Sequence, residues 1–276
     1  MYAFEISQLL PLIALLMIIG AIAGVVAGLL GVGGGIILVP AFYYMFAALG
    51  YESEYLMQIC VATSLATIIF TSIRSVLSHN KKGAVDWNIL KRWAPGIAMG
   101  AVIGVLIARE MRSVSLMVIF GVLGTLVGFY LAFGRQNWRL GDAMPMGIGR
   151  VVTAPILGFL SVLMGIGGGS FGVPLMTLYN QPIHRAIATS AGFGVIIAVP
   201  SVIGFLMIGW GMPVKPPLTI GLVNLPAFAV VVSMTLITAP FGVKLAHALD
   251  PKPLKTVFAF FIMLMALNML RKAIWG

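Results

Sequence analysis

Long apolar runs separated by short polar breaks occupy most of this chain. We assign ten apolar segments, at 9–30, 36–49, 56–79, 92–109, 114–134, 147–164, 171–179, 186–210, 218–243 and 254–270. Most of them approach the ~20 residues that a helix needs to cross a hydrocarbon core. Only 9% of the 276 residues are charged, whereas a soluble domain carries about 25%. The sequence therefore predicts an all-α polytopic membrane protein in a lipid bilayer.

Basic residues are concentrated in the polar breaks. The chain carries 17 Lys and Arg against 7 Asp and Glu, which gives a net charge of +10. In a membrane protein such an excess marks the loops that stay on the cytoplasmic side. The sequence contains no basic soluble module bearing aromatic residues, so we predict no nucleic-acid partner.

A glycine-rich motif occurs once in each half of the chain. The first glycine motif is Gly31–Gly35, and the second glycine motif is Gly165–Gly169. Each precedes an apolar segment, 36–49 or 171–179, that is too short to span a membrane comfortably. Paired hydrophobic segments that are short or interrupted by glycine are typical of secondary transporters.

The two halves also share other sequence matches in the same order. Ala62–Ser64 matches Ala188–Ser190, since both read Ala-Thr-Ser. We therefore predict two homologous repeats, 1–140 and 141–276, within one membrane domain. Each repeat would contain a glycine-rich broken or re-entrant element plus about three spanning helices.

The distribution of Lys and Arg favours an inverted relation between the repeats. If each glycine motif is the tip of an element that returns to its own side, the halves face opposite ways. Eleven basic residues then lie inside: Lys81, Lys82, Lys91, Arg92, Arg135, Arg139, Arg150, Arg185, Lys244, Lys252 and Lys255. Five lie outside: Arg109, Arg112, Lys215, Arg271 and Lys272. A model in which each element crosses the membrane separates them less well.

The two glycine triplets are the main candidates for substrate binding. They are Gly33, Gly34 and Gly35, and Gly167, Gly168 and Gly169. Glycine leaves the main chain uncovered, and unwound backbone at membrane depth is tolerated only inside protein or beside a watery cavity. If short helices begin at Ile36 and Ser170, their first amides can bind an anion. The alternative is that these glycines only allow close helix crossing.

Two other glycine series have a simpler interpretation. Their members are spaced by four residues: Gly20, Gly24 and Gly28, and Gly96, Gly100 and Gly104. This small-xxx-small pattern is typical of close helix packing in membranes. We predict that both series are packing surfaces.

Hydroxyl and basic side chains supplement the candidate site. The hydroxyls recur at corresponding places in the two halves: Thr63, Ser64, Thr189 and Ser190. They can contact substrate oxygens or bond the carbonyl one turn back. Arg74 and Arg185 are further candidates for contact with an anion. For Arg74 the alternative is that its side chain extends to the membrane interface.

Side chains for other kinds of chemistry are missing from the apolar segments. No Asp or Glu occupies the middle of a segment, which argues against a cation site. His79, His184 and His247 look scattered near segment ends, with no metal-ligand spacing or nucleophile–base pair. We therefore predict no enzyme, and we assign no catalytic residue, metal or cofactor.

Several of these motifs together resemble the sulfite exporter TauE/SafE family. The resemblance rests on Gly31–Pro40, Val61–Ser64, Lys82–Trp87 and the second glycine motif through Pro174, and it covers nearly the whole chain. It implies a multi-pass permease of the cell inner (plasma) membrane. Its implied substrates are anions such as sulfite, sulfoacetate or related organosulfonates and sulfur oxyanions.

The predicted function is a secondary transporter whose partner is a small anionic substrate. We favour export, because a membrane that is negative inside drives an anion outward by about 2.3 kcal/mol per charge per 100 mV. Alternating access would come from one repeat rocking against the other. The alternatives are an anion channel, an uptake permease for a sulfur oxyanion, and a membrane enzyme or accessory subunit. Assembly into a homo-oligomer stays open.

Overall fold

The computed structural model describes residues 6–134, 138–209, 215–248 and 251–275. Within these ranges ten helices follow one another: α1 (Ile6–Leu30), α2 (Gly35–Ala48), α3 (Leu56–Asn80), α4 (Trp87–Ala108), α5 (Ser113–Phe133), α6 (Ile148–Met164), α7 (Gly169–Leu178), α8 (Ile183–Met207), α9 (Leu225–Ala248) and α10 (Pro251–Trp275). Strands β1 (Thr219–Ile220) and β2 (Val223–Asn224) form a small antiparallel hairpin before α9. The predicted helical class is confirmed.

Among the described residues, six helices are long and apolar enough to cross a membrane: α1 from Leu10, α3, α4, α5, α8 and α9. Helices α2, α6 and α7 are shorter apolar helices. Large apolar side chains face outward along the bundle, for example Leu126 at 61% exposure and Ile203 at 56%. A soluble surface would not present so many of them, whereas lipid covers them without cost. The chain is a multi-pass membrane protein.

Two helix starts differ by five residues or more from the sequence-based segments, which begin at 92 and 218. Helix α4 begins at Trp87, because the carboxylate of Asp86 accepts hydrogen bonds from the amides of Asn88 and Ile89. Each of these two bonds is 3.0 Å long. This N-cap stabilises a polar first turn that an apolar pattern cannot show. Helix α9 begins at Leu225, because the residues before it form the β1–β2 hairpin.

The first predicted glycine series lies where α1 runs parallel to α9. Gly20 faces Val231, and Gly28 lies eight residues later against Ala239, so contacts advance in the same direction along both helices. A methyl group on Gly28 would collide with the carbonyl oxygen of Ala239. Gly242 of α9 faces α1 in the same way. The predicted packing role of this series is confirmed.

Helices α4 and α6 cross in a matching manner. Gly100 faces the carbonyl oxygen of Pro155, and Gly158 faces the carbonyl oxygen of Ile97. Gly96 and Gly104 also meet α6. The second predicted packing series is therefore confirmed as well. Each crossing joins a helix from 1–140 to a helix from 141–276.

Helices α3 and α8 lie side by side at the centre of the bundle and run in opposite directions. The last turn of α3 carries His79 and the first turn of α8 carries His184. Both imidazole rings lie against His247, with ring centroids 5.4 Å and 5.6 Å away respectively. The end of α3 therefore meets the beginning of α8. Helix α5 packs against α10 at the side.

Candidate functional site

The two glycine motifs lie directly against each other in the interior. The amide of Gly167 donates a hydrogen bond to the carbonyl oxygen of Val32 over 3.1 Å. A Cβ added to Gly33 would lie 3.2 Å from the Cα of Gly167. Every residue of both motifs is buried. The fold thus brings together the two triplets that the sequence singled out.

Neither triplet is regular helix. Gly33 and Gly34 have φ angles of 76° and 82°, which side chains rarely allow, and α2 begins at Gly35. In the second motif Gly165 has a φ angle of 64°. Gly168 has the backbone angles of a right-handed helix, and α7 begins at Gly169. The short helices start within one residue of the predicted Ile36 and Ser170. Both N-termini lie at the contact between the motifs.

Gly33 and Gly168, one from each triplet, lie near the middle of the central helices. Gly33 lies against Ile68, at mid-length of α3. Gly168 lies against Phe193, near mid-length of α8. Because α3 and α8 are each 25 residues long, their middle lies about 19 Å from either end. The motifs are therefore placed deep within the bundle.

The two candidate serines lie beside the second glycine motif. Ser64 donates a buried hydrogen bond to the carbonyl oxygen of Gly165 over 2.8 Å. The Ser190 hydroxyl lies 3.7 Å from the sulfur of Met176, and its main-chain carbonyl faces Gly168. Both side chains are fully buried.

The two candidate threonines make a matching pair of contacts further away. Thr63 Oγ1 accepts a hydrogen bond from the amide of Asn224 over 3.0 Å. Thr189 Oγ1 accepts one from the amide of Asp86 over 2.9 Å. Asn224 and Asp86 precede α9 and α4, and each caps its helix with its own side chain. In this conformation the threonines fix the starts of those helices.

The structure adds two hydroxyls that the sequence analysis did not include. Ser170, in the first turn of α7, and Ser72 of α3 are each 1% exposed, and neither has a hydrogen-bond partner within the described residues. Ser72 Oγ faces Gly194, and the amide nitrogen of Gly168 lies 3.6 Å from a Cβ built on that glycine. Buried hydroxyls are nearly always bonded, so such exceptions indicate a place where a ligand or water can bind. The signal for Ser170 was its position directly after the triplet.

The two candidate arginines lie away from the glycine motifs. Arg74 is exposed on α3, between the exposed side chains of Ile73 and Leu77. Arg185 is exposed at the start of α8, with Nη1 3.8 Å from Oδ2 of Asp86. It lines a cavity at that end of the bundle. The fold does not gather these two side chains with the glycines.

The expectation that the three histidines are scattered is wrong. His79 Nδ1 lies 3.2 Å from Nε2 of His247, and His79 Nε2 lies 3.0 Å from the carbonyl oxygen of Gly28. The ring of His184 stacks on that of His247. The ends of α3 and α9 and the start of α8 converge there, which segment positions alone cannot reveal. Among the described residues no such cluster has the arrangement needed to hold a metal ion.

Comparison with known proteins agrees with this architecture. The family model described as sulfite exporter TauE/SafE matches residues 16–269. A probable membrane transporter protein of Haemophilus influenzae is 31% identical over 261 residues, 94% of this chain and 98% of that relative. One from Methanocaldococcus jannaschii is 26% identical over 268 residues, 97% of each chain. No solved structure matches the chain significantly.

The family match covers both glycine motifs, five of the six candidate spans found among the described residues in full, and most of the first span. The relatives are named as probable membrane transporter proteins, and the matched family is one of transporters and not of enzymes. The chain belongs to the sulfite exporter TauE/SafE family of membrane transporters.

Proposed function

We propose that this protein is a secondary transporter that exports small anions of the class that includes sulfite, sulfoacetate and related organosulfonates. The observation that carries the proposal is the meeting of two broken helices at the glycine motifs, deep inside the bundle. The family resemblance supplies the substrate class.

The helix N-termini supply positive potential without a charged side chain. Helices α2 and α7 both begin at the contact between the motifs. The first amides of a helix lack intrahelical acceptors, and the helix dipole places partial positive charge there. Glycine lets a ligand approach those amides closely. The buried hydroxyls of Ser72 and Ser170 add two donors beside them.

The polarity of the interior favours an anion over a cation. Among the described residues the buried polar side chains are Gln, Ser, Thr, Asn and His, with no Asp, Glu, Lys or Arg. A cation site at membrane depth normally uses a carboxylate. Amides and hydroxyls can instead donate to the oxygens of a sulfite or sulfonate group.

The proposal includes two inverted repeats, 1–140 and 141–276. In the two repeats α1 corresponds to α6, and α4 corresponds to α9. The crossing of α1 with α9 therefore corresponds to the crossing of α6 with α4. In the same way, the Thr63–Asn224 hydrogen bond corresponds to the Thr189–Asp86 hydrogen bond. The opposite directions of α3 and α8 support the inversion. Such inverted repeats hold a central site around which alternating access occurs.

The direction of transport follows from the membrane potential. In the inverted arrangement the loop after α3 and the start of α8 face the cytoplasm, the side that retains basic residues. A negative interior drives an anion outward by about 2.3 kcal/mol per charge per 100 mV. Export therefore needs no coupling ion, consistent with the absence of buried carboxylates from the part of the chain that the structure describes.

The test is flux in proteoliposomes loaded with sulfite, sulfoacetate, thiosulfate or sulfate. We expect wild-type protein to carry at least one sulfur anion, and Ser72→Ala and Ser170→Ala each to lower that flux about tenfold, since a hydrogen bond to an anion is lost. Ser201→Ala is the matched control, because its buried hydroxyl bonds its own helix at Ile197. It should transport like wild type.

Three outcomes would overturn the proposal. Wild-type vesicles that carry none of the four anions would remove the function. Hydroxyl variants that equal Ser201→Ala would remove the site. Single-channel recordings in which one molecule passes far more ions per second than a carrier can turn over would instead identify an anion channel.

A further inference from the structure

A cavity of about 300 Å³ opens at the end of the bundle where α3 ends and α8 begins. Its walls come from both halves of the chain, at the loop before α4, the first turns of α4, α6 and α8, and the segment 143–146 before α6. Its charged lining residues are Asp86, Arg92, Arg150 and Arg185. It is separate from the glycine motifs.

The lining is strongly basic. Three arginines against one aspartate give the cavity a net charge of +2. Asp86 lies within ion-pair distance of Arg185 only, at 3.8 Å. Among the described residues no acidic side chain pairs with Arg92 or Arg150. Guanidinium groups bind oxyanions through parallel N–H donors, so this lining suits a small sulfonate or sulfite.

The floor of the cavity leads toward the second glycine motif. Trp93 lines the cavity and is 2% exposed. Its ring stacks on Phe193, with centroids 6.4 Å apart and planes 26° apart. The Cβ of Phe193 in turn lies against Gly168. Two aromatic rings therefore separate the arginines from the motif where α7 begins.

We infer that this cavity binds the transported anion before the anion reaches the glycine motifs. Arg92, Arg150 and Arg185 are the ligands, and the Trp93–Phe193 pair is the closed partition beneath them. The inference rests on the proposed function, to which it adds a second binding site on the cytoplasmic side. It also gives a role to the Lys82–Trp87 motif, because Asp86 from that motif lines the cavity.

A variant of Asp86 should tighten anion binding, whereas variants of the arginines should weaken it. Its Oδ2 faces Arg185 and competes with a bound anion, while its Oδ1 caps α4. Asparagine caps a helix about as well as aspartate. Asp86→Asn should therefore keep the fold, release Arg185 and tighten anion binding.

The experiment titrates sulfoacetate into the full-length protein in lipid nanodiscs at fixed ionic strength, with heat as the readout. We expect Arg92→Gln and Arg150→Gln each to raise Kd about tenfold, because each removes a charge-assisted contact. Asp86→Asn should lower Kd about threefold. Arg139→Gln, an exposed arginine outside the cavity lining, is the matched control and should leave Kd unchanged.

The outcomes separate this site from the proposed function. If Kd responds to the arginine and Asp86 variants while wild-type vesicles carry no sulfur anion, the cavity binds anions and the transport proposal fails. If Ser170→Ala lowers flux but both arginine variants keep the wild-type Kd and flux KM, this inference is overturned. A looser Kd for Asp86→Asn would also contradict it.

Discussion

The amide of Gly167 donates to the carbonyl oxygen of Val32 over 3.1 Å, and this bond joins the two glycine motifs across the halves of the chain. Backbone meets backbone here because no side chain intervenes. A Cβ on Gly167 would lie only 2.6 Å from that same oxygen. The triplets therefore help to assemble the two halves of the chain.

Alanine in the triplets should destabilise the protein. A methyl group at Gly35 would collide with the carbonyl oxygen of Gly165, and one at Gly169 with the carbonyl oxygen of Gly31. We expect Gly35→Ala and Gly169→Ala each to cost about 1–3 kcal/mol of unfolding free energy. Thermal unfolding in detergent measures this as a lower Tm.

Gly149→Ala is the control for these variants. Gly149 is an exposed residue in the first turn of α6, where the nearest atom to an added Cβ is Cβ of Pro145 at 3.3 Å. Only a small shift of the preceding loop is needed. Equal Tm values for this variant and Gly35→Ala would show that the contact between the motifs is not tight.

Ser64→Ala should weaken the second glycine motif. It removes the buried 2.8 Å hydrogen bond to the carbonyl oxygen of Gly165 and leaves that oxygen without this donor. The expected loss is about 1 kcal/mol. Ser201→Ala should cost less, because Ser201 bonds a carbonyl of its own helix. Equal melting temperatures for the two variants would contradict a role for Ser64 in joining the halves.

His79→Ala should be far more damaging than His184→Ala. A carbonyl oxygen only accepts, so Nε2 of neutral His79 donates to Gly28 at the end of α1, and Nδ1 accepts from His247. His79 is 1% exposed, whereas His184 is exposed and stacks on one ring. We expect a loss of about 2 kcal/mol for His79→Ala and below about 0.5 for His184→Ala. Chemical unfolding in micelles measures both losses of unfolding free energy. A larger loss for His184→Ala than for His79→Ala would refute this prediction.

Cysteine labelling should place the two ends of α3 on opposite sides of the membrane. Cys60 is fully buried in α3, so we expect a membrane-impermeant maleimide to leave the folded wild-type protein unlabelled. In a Cys60→Ser background, Glu52→Cys should react from outside intact cells and Lys82→Cys only in inverted vesicles. Labelling of both from one side would exclude the inverted topology.

Apolar length and glycine content were sufficient to predict most of the helices. The segments at 36–49 and 171–179 match α2 and α7 to within two residues, because glycine interruptions are local in sequence. The apolar pattern places the start of α4 too late, because Asp86 caps a first turn that is followed at once by Lys91 and Arg92. A pattern of apolar residues cannot show where a polar side chain caps a helix.

Contacts between distant segments could not be predicted from one sequence. Thr63 and Asn224, which are joined by a hydrogen bond, are 161 positions apart in the sequence. Arg92 and Arg185 line the same cavity only because of the way α4 and α8 pack together. Local pattern carries no information about that placement. For the same reason the glycine motifs were recognised as a pair, but their direct contact and the hydroxyls of Ser72 and Ser170 emerged only from the fold.

The crossings of α1 with α9 and of α4 with α6 restrict how this transporter can move. At each crossing a glycine faces a main-chain carbonyl of the partner helix, at Gly28 with Ala239 and at Gly100 with Pro155. Sliding one half of the chain past the other would drive those backbones into each other. Under the proposed alternating access we therefore expect each crossed pair to move as a rigid unit. The moving bodies would then combine helices from both halves, and would not be the two repeats predicted from the sequence.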